Sequence, residues 1–185
     1  MVASCALLSP PQREPAKELL SKLPNAIRHA HSQAGSLTIL RPEVSPAYDT
    51  ARMAYTERPY QLRYFRDHEW AEPPAQMIQK LLVQTLEQRG SFRSVLTPPE
   101  IARAGYTLRT KLLELTQDYT RAPPFLRLAL RVELLGPSGH SLASRQIVME
   151  EPMQAATPYA GVIAANNALA RALQDAAELV LAHVR

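Results

Sequence analysis

The chain has 185 residues, 46% of them hydrophobic and 21% charged, which is typical of one globular domain and excludes a disordered chain. The 21 Lys and Arg exceed the 17 Asp and Glu only slightly, so the net charge of +4 does not by itself indicate a nucleic-acid-binding protein. The single cysteine excludes an intramolecular disulfide, and no apolar run reaches the roughly 18 residues that a transmembrane helix needs.

The first 35 residues are predicted to precede the folded domain, and part of them to form a tether. Pro10, Pro11 and Pro15 have fixed φ angles and no N–H donors, so the stretch from Ser9 to Pro15 should be extended and solvated. A short helix is expected around the segment "PAKELLSKL", broken by Pro24. We therefore expect two parts, an amino-terminal segment over residues 1–35 and one folded domain over residues 36–185.

Strands and one helix are predicted for the first half of this domain. The run "SLTILRP" indicates a short strand, and "ARMAYTERPYQLRYF" alternates like a hairpin that turns at Arg58 and Pro59. A helix should begin at Pro73 and Pro74, where a missing N–H does no harm, and end at Gly90. Its apolar residues recur at helical spacing, at Met77, Leu81, Leu82, Thr85 and Leu86. The segment "FRSVL" is expected to form the next strand.

Three long strands and a covering helix are predicted for the second half. The strands are "YTLRTKLLELTQDY", "FLRLALRVELLG" and "SLASRQIVMEEP", with a hairpin turn at "GPSGH". The middle strand has one apolar face, formed by Leu126, Leu128, Leu130, Val132 and Leu134. A helix capped by Thr157 would cover that face with Val162, Asn166, Leu169, Leu173, Ala176 and Val180. The predicted fold is therefore α/β, a single domain with a mixed, largely antiparallel sheet and flanking helices.

Motifs for catalysis or cofactor binding are missing from the sequence. The six glycines form neither a GxGxxG nor a GxxxxGK[ST] phosphate loop, and neither a GxSxG turn nor an HExxH pair occurs. His29 and His31 are two residues apart, so on a helix they would face different directions, whereas zinc needs three or four converging ligands. Solvated surface histidines are the preferred interpretation. We expect no enzyme activity, no metal and no cofactor.

Aromatic and arginine residues are interleaved in "YDTARMAYTERPYQLRYFRDHEWAEPP". On a hairpin they could form a platform for single-stranded nucleic acid, as in a cytoplasmic RNA-binding α/β module. Alternatively, the aromatic side chains fill one face of the hairpin and the arginines solvate the other. The acids Asp49, Glu57, Asp67 and Glu69 dilute the positive charge, so the structural interpretation is favoured.

Two motifs in this stretch resemble those of the ABC-type transport auxiliary lipoprotein family, the PqiC-like lipoproteins. The first is a Y/L-D-[ST]-x-R-[MI] strand, which is matched by Tyr48, Asp49, Thr50, Arg52 and Met53. The second is a W-A-[ED]-P-P helix start, which is matched by Trp70, Ala71, Glu72 and Pro73. Ala51 stands where the family pattern has proline, a change that suits a strand. The resemblance extends over about residues 36–185, and the two motifs at this spacing make it fairly specific.

The resemblance implies a three-layer or near three-layer domain similar to the amino-terminal domain of TolB. It also implies a non-catalytic, periplasm-facing lipoprotein that assists an MCE-type lipid transporter, whose ATPase and channel-forming MCE protein are separate chains. The implied partners are the MCE-type channel protein, a membrane reached through a lipid anchor and further copies of the chain, with no nucleic acid. The motif residues are expected to be structural. Trp70 should pack on the sheet with its indole N–H bonded, and Asp49 should hydrogen-bond within its turn.

Cys5 has three possible roles: an incidental terminal residue, a packing residue or an attachment point. The sequence "VASC" fits the lipobox of bacterial lipoproteins, whose cysteine becomes the acylated amino terminus. Three acyl chains, palmitate among them, would exceed the roughly two signals that stable anchoring takes. Because a full secretory signal does not precede Cys5, the chain is either cytoplasmic or begins within its signal, and the family resemblance favours a signal remnant. Ala6, in place of Asp, indicates the outer membrane.

Overall fold

The computed structural model describes residues 14–25, 34–101 and 105–184. Cys5, the lipobox and most of the predicted tether lie outside the described residues. Within them the chain forms nine strands, a short 3-10 helix and two α-helices. In chain order they are β1 Ala16–Glu18, β2 Ala34–Ile39, β3 Glu43–Val44, the 3-10 helix Pro46–Tyr48, β4 Arg52–Thr56, β5 Arg63–Trp70, α1 Pro74–Gln88, β6 Phe92–Leu96, β7 Gly105–Asp118, β8 Phe125–Leu135, β9 Ser141–Pro152 and α2 Pro158–Leu181.

Strand β7 organises the sheet. One edge of β7 pairs with β8 in antiparallel fashion along its length, and β8 pairs in the same way with β9. The other edge of β7 takes β2, β3 and β4 in succession, all parallel to it. Beyond them, β6 is parallel to β2, β5 is antiparallel to β4, and β1 is parallel to β5. The two long antiparallel ladders carry most of the paired residues, which confirms a single domain with a mixed, largely antiparallel sheet.

The hydrophobic core lies between one face of the sheet and the two helices. The apolar face predicted for β8 is confirmed, since each of its five residues is no more than 1% exposed. Helix α2 packs on β8 and β9, helix α1 packs on β2 and β6, and the helices contact each other. The opposite face of the sheet carries polar side chains, and Gln146, Val148 and Glu150 of β9 are exposed there. No helix among the described residues covers that polar face.

The two helices predicted within residues 36–185 are confirmed, and their ends follow from local chemistry. Pro73 and Pro74 occupy the N-cap and first helical positions of α1, and Gly90 follows the helix with a φ of +62°. Thr157 caps α2, where its side-chain oxygen accepts a hydrogen bond from the Ala160 N–H at 3.2 Å. These caps orient both helices against the sheet.

The helix expected around "PAKELLSKL" is wrong in the described residues, because this segment begins with strand β1 and continues without regular secondary structure. Backbone groups along one edge of β1 are paired with β5. The Asn166 side chain of α2 then accepts hydrogen bonds from the Ser21 and Lys22 N–H groups at 2.9 and 3.1 Å and donates one to the Leu19 carbonyl at 2.9 Å. These partners replace the hydrogen bonds that a helix would make within itself. The domain boundary at residue 35 stays a prediction.

Gly161, in the first turn of α2, lies against the side chain of Gln117 on β7. A Cβ atom at position 161 would lie 2.0 Å from the Gln117 side-chain carbon Cδ. The Gln117 amide cannot move freely, because it donates a hydrogen bond to the Pro158 carbonyl at 3.0 Å and accepts one from the Tyr119 hydroxyl at 2.7 Å. Close approach of α2 to the sheet therefore requires glycine at this position.

We predict that Gly161→Ala lowers the free energy of unfolding by about 1–3 kcal/mol, because it displaces a buried, hydrogen-bonded amide. The same change in an unobstructed helix would raise stability by up to about 1 kcal/mol, so the sign itself is informative. Urea unfolding measures the difference. In a Gln117→Ala background the obstruction is removed, and Gly161→Ala should then be neutral or stabilising. An equal loss in both backgrounds would contradict the proposed contact.

Candidate functional site

The first motif forms the turn that leads into β4. Tyr48 ends the 3-10 helix, and its hydroxyl lies 2.9 Å from the Thr116 hydroxyl of β7. Burial raises the pKa of the Tyr48 phenol above its ordinary value, so this hydroxyl stays protonated. The exposed Asp49 contributes a backbone N–H to the Pro46 carbonyl at 3.4 Å. The side-chain hydrogen bond within this turn is made by Thr50, whose hydroxyl accepts from the Arg52 N–H at 3.2 Å.

Arg52 and Met53 extend from opposite faces of β4. Met53 is 1% exposed and belongs to the core beneath the helices. The guanidinium carbon of Arg52 lies 4.2 Å from the centre of the Tyr64 ring on the polar face. The Tyr64 hydroxyl in turn donates to the Ala47 carbonyl at 2.8 Å. Arg52 therefore covers a ring that holds the 3-10 helix in place.

The second motif joins β5 to α1 and touches the first motif. Trp70 is the last residue of β5, is 3% exposed and belongs to the core. Its backbone N–H donates to the Ala51 carbonyl at 2.7 Å, and the N–H of Ala71 donates to the Glu18 carbonyl of β1 at 2.7 Å. The Glu72 carboxylate pairs with Lys80 of α1, with both oxygens 2.7 Å from the Lys80 nitrogen. The matched residues therefore meet at the junction of β1, β4, β5 and α1.

Pro73 completes the second motif at the start of α1. It takes the N-cap position with a φ of −50°, and its carbonyl accepts a hydrogen bond from the Gln76 N–H at 2.9 Å. Proline is suited to this position because its fixed φ turns the chain from β5 into the helix. The geometry is that of a structural junction, in which polar groups of the motif form hydrogen bonds or ion pairs with neighbouring elements.

A charged cluster next to the first motif was not predicted from the sequence. Arg127 of β8 lies between Glu114, whose Oε1 is 3.3 Å from Nε, and Asp118, whose Oδ2 is 3.9 Å from a terminal guanidinium nitrogen. The Asp118 carboxylate also accepts two hydrogen bonds from Thr120, one from its backbone N–H at 2.8 Å and one from the Thr120 hydroxyl at 2.5 Å. A bulge in β7 between Leu112 and Glu114 places both carboxylates on the polar face. The sequence offered no local signal for that bulge.

The aromatic residues of the predicted hairpin contact one another. The Tyr55 and Phe65 rings are stacked with centres 4.4 Å apart, and Tyr119 meets Tyr55 edge-on at 6.3 Å. Arg63 forms an ion pair with Glu57 at 3.2 Å. These contacts favour the structural interpretation of the hairpin, and the single-stranded RNA-binding alternative gains no support.

The part of the chain that the structure describes contains no group of three His, Cys, Asp or Glu side chains placed to hold a metal ion. No helix within the described ranges has both the length and the apolar character needed to cross a membrane. His29 and His31 lie outside these ranges. His68 lies within them, and its Nδ1 is 3.0 Å from the Glu18 carboxylate.

This architecture is similar to that of several solved structures. A Xanthomonas campestris protein of DUF330 has a TM-score of 0.74 and 21% identity, with 92% of this chain and 95% of that chain covered. An uncharacterised protein of known structure has a TM-score of 0.69 and 15% identity, with coverage of 89% and 99%. A hypothetical protein from Chlamydia trachomatis has a TM-score of 0.55 and 9% identity, with coverage of 81% and 97%. At these identities the likeness shows the α/β fold.

The chain belongs to the family of ABC-type transport auxiliary lipoprotein components, whose model matches residues 19–177. No curated protein sequence matches it. The family match confirms the resemblance drawn from the two motifs. It supports an auxiliary role in ABC-type transport and a location in the cell envelope.

The charged cluster can be tested through the pH dependence of the free energy of unfolding, because Glu114 belongs to it. Burial raises the pKa of its carboxyl above the ordinary value of 4.5; the Arg127 guanidinium lowers it only in part, and the Asp118 and Glu150 charges raise it further. The folded protein therefore binds this proton more tightly than the unfolded chain does. The free energy of unfolding should consequently fall as the pH rises from 4.5 through the raised pKa.

We predict that Glu114→Gln removes this decline, so that the variant gains stability relative to the unchanged protein between about pH 4 and pH 7. The gain should not exceed about 1 kcal/mol, because the carboxylate is partly solvated. Urea unfolding across this range measures it. Glu43→Gln serves as a control. Glu43 pairs with Lys111 at 3.7 Å, but this pair is exposed and therefore contributes little, so the variant reports the general effect of removing one negative charge. A constant difference between Glu114→Gln and the unchanged protein over this range would contradict the raised pKa.

Proposed function

We propose that this protein is a non-catalytic, lipid-anchored subunit that assists an MCE-type ABC lipid transporter and so supports the integrity of the cell envelope. The observation that carries the proposal is membership of the auxiliary lipoprotein family over residues 19–177, together with a cysteine in a lipobox just before the domain. The ATPase and the channel are assigned to separate chains. This chain would supply a folded domain on the periplasmic side.

The proposed anchor is Cys5. The described chain begins at Glu14, so the intervening residues could span at most about 30 Å when fully extended. An acylated Cys5 would therefore keep the domain close to a bilayer surface. Ala6 after the cysteine supports placement in the outer membrane, facing the periplasm.

The proposed mechanism is assembly and not chemistry. The motif residues Tyr48, Arg52, Trp70 and Glu72 are occupied in contacts between elements of the domain. We propose that the domain acts through its surfaces, by binding the MCE-type channel protein and further copies of itself. Neither a catalytic residue nor a cofactor is assigned.

Acylation of Cys5 is tested in cells that express the protein from its natural gene. Metabolic labelling with an alkyne-tagged palmitate analogue should label the protein, and Cys5→Ala should abolish the label, because the thiol is the attachment point. Membrane fractionation should place the labelled protein in the outer membrane. Ala6→Asp is the matched control, since it should keep the label and change the membrane. Label that persists in Cys5→Ala would overturn the anchor.

The partner is tested separately from the anchor. A tagged form of the protein, cross-linked in its native host, should retain an MCE-type channel protein through purification and mass spectrometry. A tagged outer-membrane lipoprotein of another family is the control for contacts made by proximity alone. Equal recovery of the channel protein with both baits would contradict the proposed transport system, while leaving the result on Cys5 unaffected.

A further inference from the structure

We propose that the free edge of β9 binds β9 of a second copy of this chain, as an antiparallel pair with two-fold symmetry. The inference rests on the self-association proposed above and identifies the surface that would carry it. The pair would join two sheets into one, with the helices of both copies on the same side.

Strand β9 is a long and open edge. Its 12 residues pair with β8, and among the described residues no strand pairs with its other side. The other outermost strands are shorter, since β1 has three residues and β6 has five. Val148, at the middle of β9, is 57% exposed. An open edge of this length with an apolar centre is a template for strand pairing.

The hydrogen-bonding groups of this edge can be assigned from the ladder with β8. The Met153 N–H donates to the Pro124 carbonyl at 2.9 Å, so alternate residues back along β9 also direct their backbone groups toward β8. Ser144, Gln146, Val148 and Glu150 therefore direct their N–H and C=O groups away from β8. A second copy of β9 could donate and accept hydrogen bonds at Gln146, Val148 and Glu150, whereas Pro152, opposite Ser144, has a carbonyl but no N–H to donate.

Charge selects one register for the pair. When Val148 lies opposite its own copy, Arg145 of each strand lies opposite Glu151 of the other, and Gln146 lies opposite Glu150. Among registers centred on residues 146–150, this one alone places Arg145 opposite a carboxylate. A register centred on Glu150 would bring two like charges together. Opposite charges across paired strands are favourable and like charges unfavourable, so the Val148-centred register is preferred.

Helix α2 is compatible with this register. Arg171 of α2 pairs with Glu151, and its guanidinium lies 3.5 Å from the Glu150 carbonyl. A carbonyl oxygen can accept two hydrogen bonds, so Arg171 and an N–H of a second strand can share it. In the Glu151 carboxylate, Oε2 pairs with Arg171 and Oε1 accepts a hydrogen bond from the Asn167 amide at 3.3 Å. Each carboxylate oxygen can accept more than one hydrogen bond, so Arg145 of the second copy can also be received.

The register makes a specific cross-linking prediction. Directly opposite, hydrogen-bonded residues have Cα atoms about 5.5 Å apart, within the range of about 4.4–6.8 Å that a disulfide spans. In a Cys5→Ala background, Val148→Cys should therefore form a disulfide-linked dimer under mild oxidation, seen on a non-reducing gel. Ser144→Cys is the matched control on the same strand and face. Its two copies would be about 27 Å apart, so it should cross-link at least about tenfold less.

Charge reversal gives an independent measurement. Arg145→Glu should weaken dimerisation at least about fivefold in analytical ultracentrifugation, because two attractive pairs become repulsive. Arg93→Glu, on the exposed side of β6, is the control and should leave dimerisation unchanged. Thermal unfolding of each variant shows whether it is folded.

The possible outcomes separate the two proposals. Preferential cross-linking of Val148→Cys together with the Arg145→Glu effect would support the β9 interface. Oligomers that form while Val148→Cys and Ser144→Cys cross-link equally would overturn this interface and leave self-association standing. A protein that is monomeric at every concentration would overturn both proposals.

Discussion

The pairing of β7 on both of its edges is the constraint on which the rest of the structure depends. One edge is occupied by β8, and the other is shared by β2, β3 and β4, so one strand sets the position of four others. Its side chains Leu108, Leu112 and Leu115 are no more than 4% exposed and lie in the core under the helices. Because β7 is hydrogen-bonded on both sides and buried on one face, displacing it would disturb every layer of the domain.

The two family motifs depend on β7 in turn. Tyr48 connects the first motif to β7 by a hydrogen bond with Thr116. The Trp70 N–H connects the second motif to the first by a hydrogen bond to the Ala51 carbonyl. Arg52 and Glu72 are of residue types that elsewhere carry chemistry, but here Arg52 packs on Tyr64 and Glu72 pairs with Lys80 of α1. The contact at Ala51 uses a backbone carbonyl, which every residue possesses, so the departure from the family pattern at this position leaves the junction intact.

The two faces of the sheet and the edge of β9 differ in how far their groups are already occupied by contacts within the domain. The helical face of the sheet is packed, and the polar face is occupied around Arg127 by a charged cluster with mutual ion pairs. The edge of β9, by contrast, presents backbone groups and the exposed Val148. An edge of β9 that no described strand pairs is the surface on which the proposed self-association rests. The charge pattern along β9 further restricts what that edge can accept.

Local patterns determined much of the fold from the sequence alone. Several features depend only on near neighbours in the chain, and the structure has them as expected. They are the alternation along β8, the helical spacing in α1 and α2, the caps at Pro73 and Thr157 and the paired family motifs. Only the tertiary structure decided the rest. The segment "PAKELLSKL" forms a short strand and an irregular stretch, because β5 and Asn166, which are distant in sequence, satisfy its backbone groups. Likewise, the bulge in β7 and the cluster around Arg127 arise from pairing with β8, which no local pattern encodes.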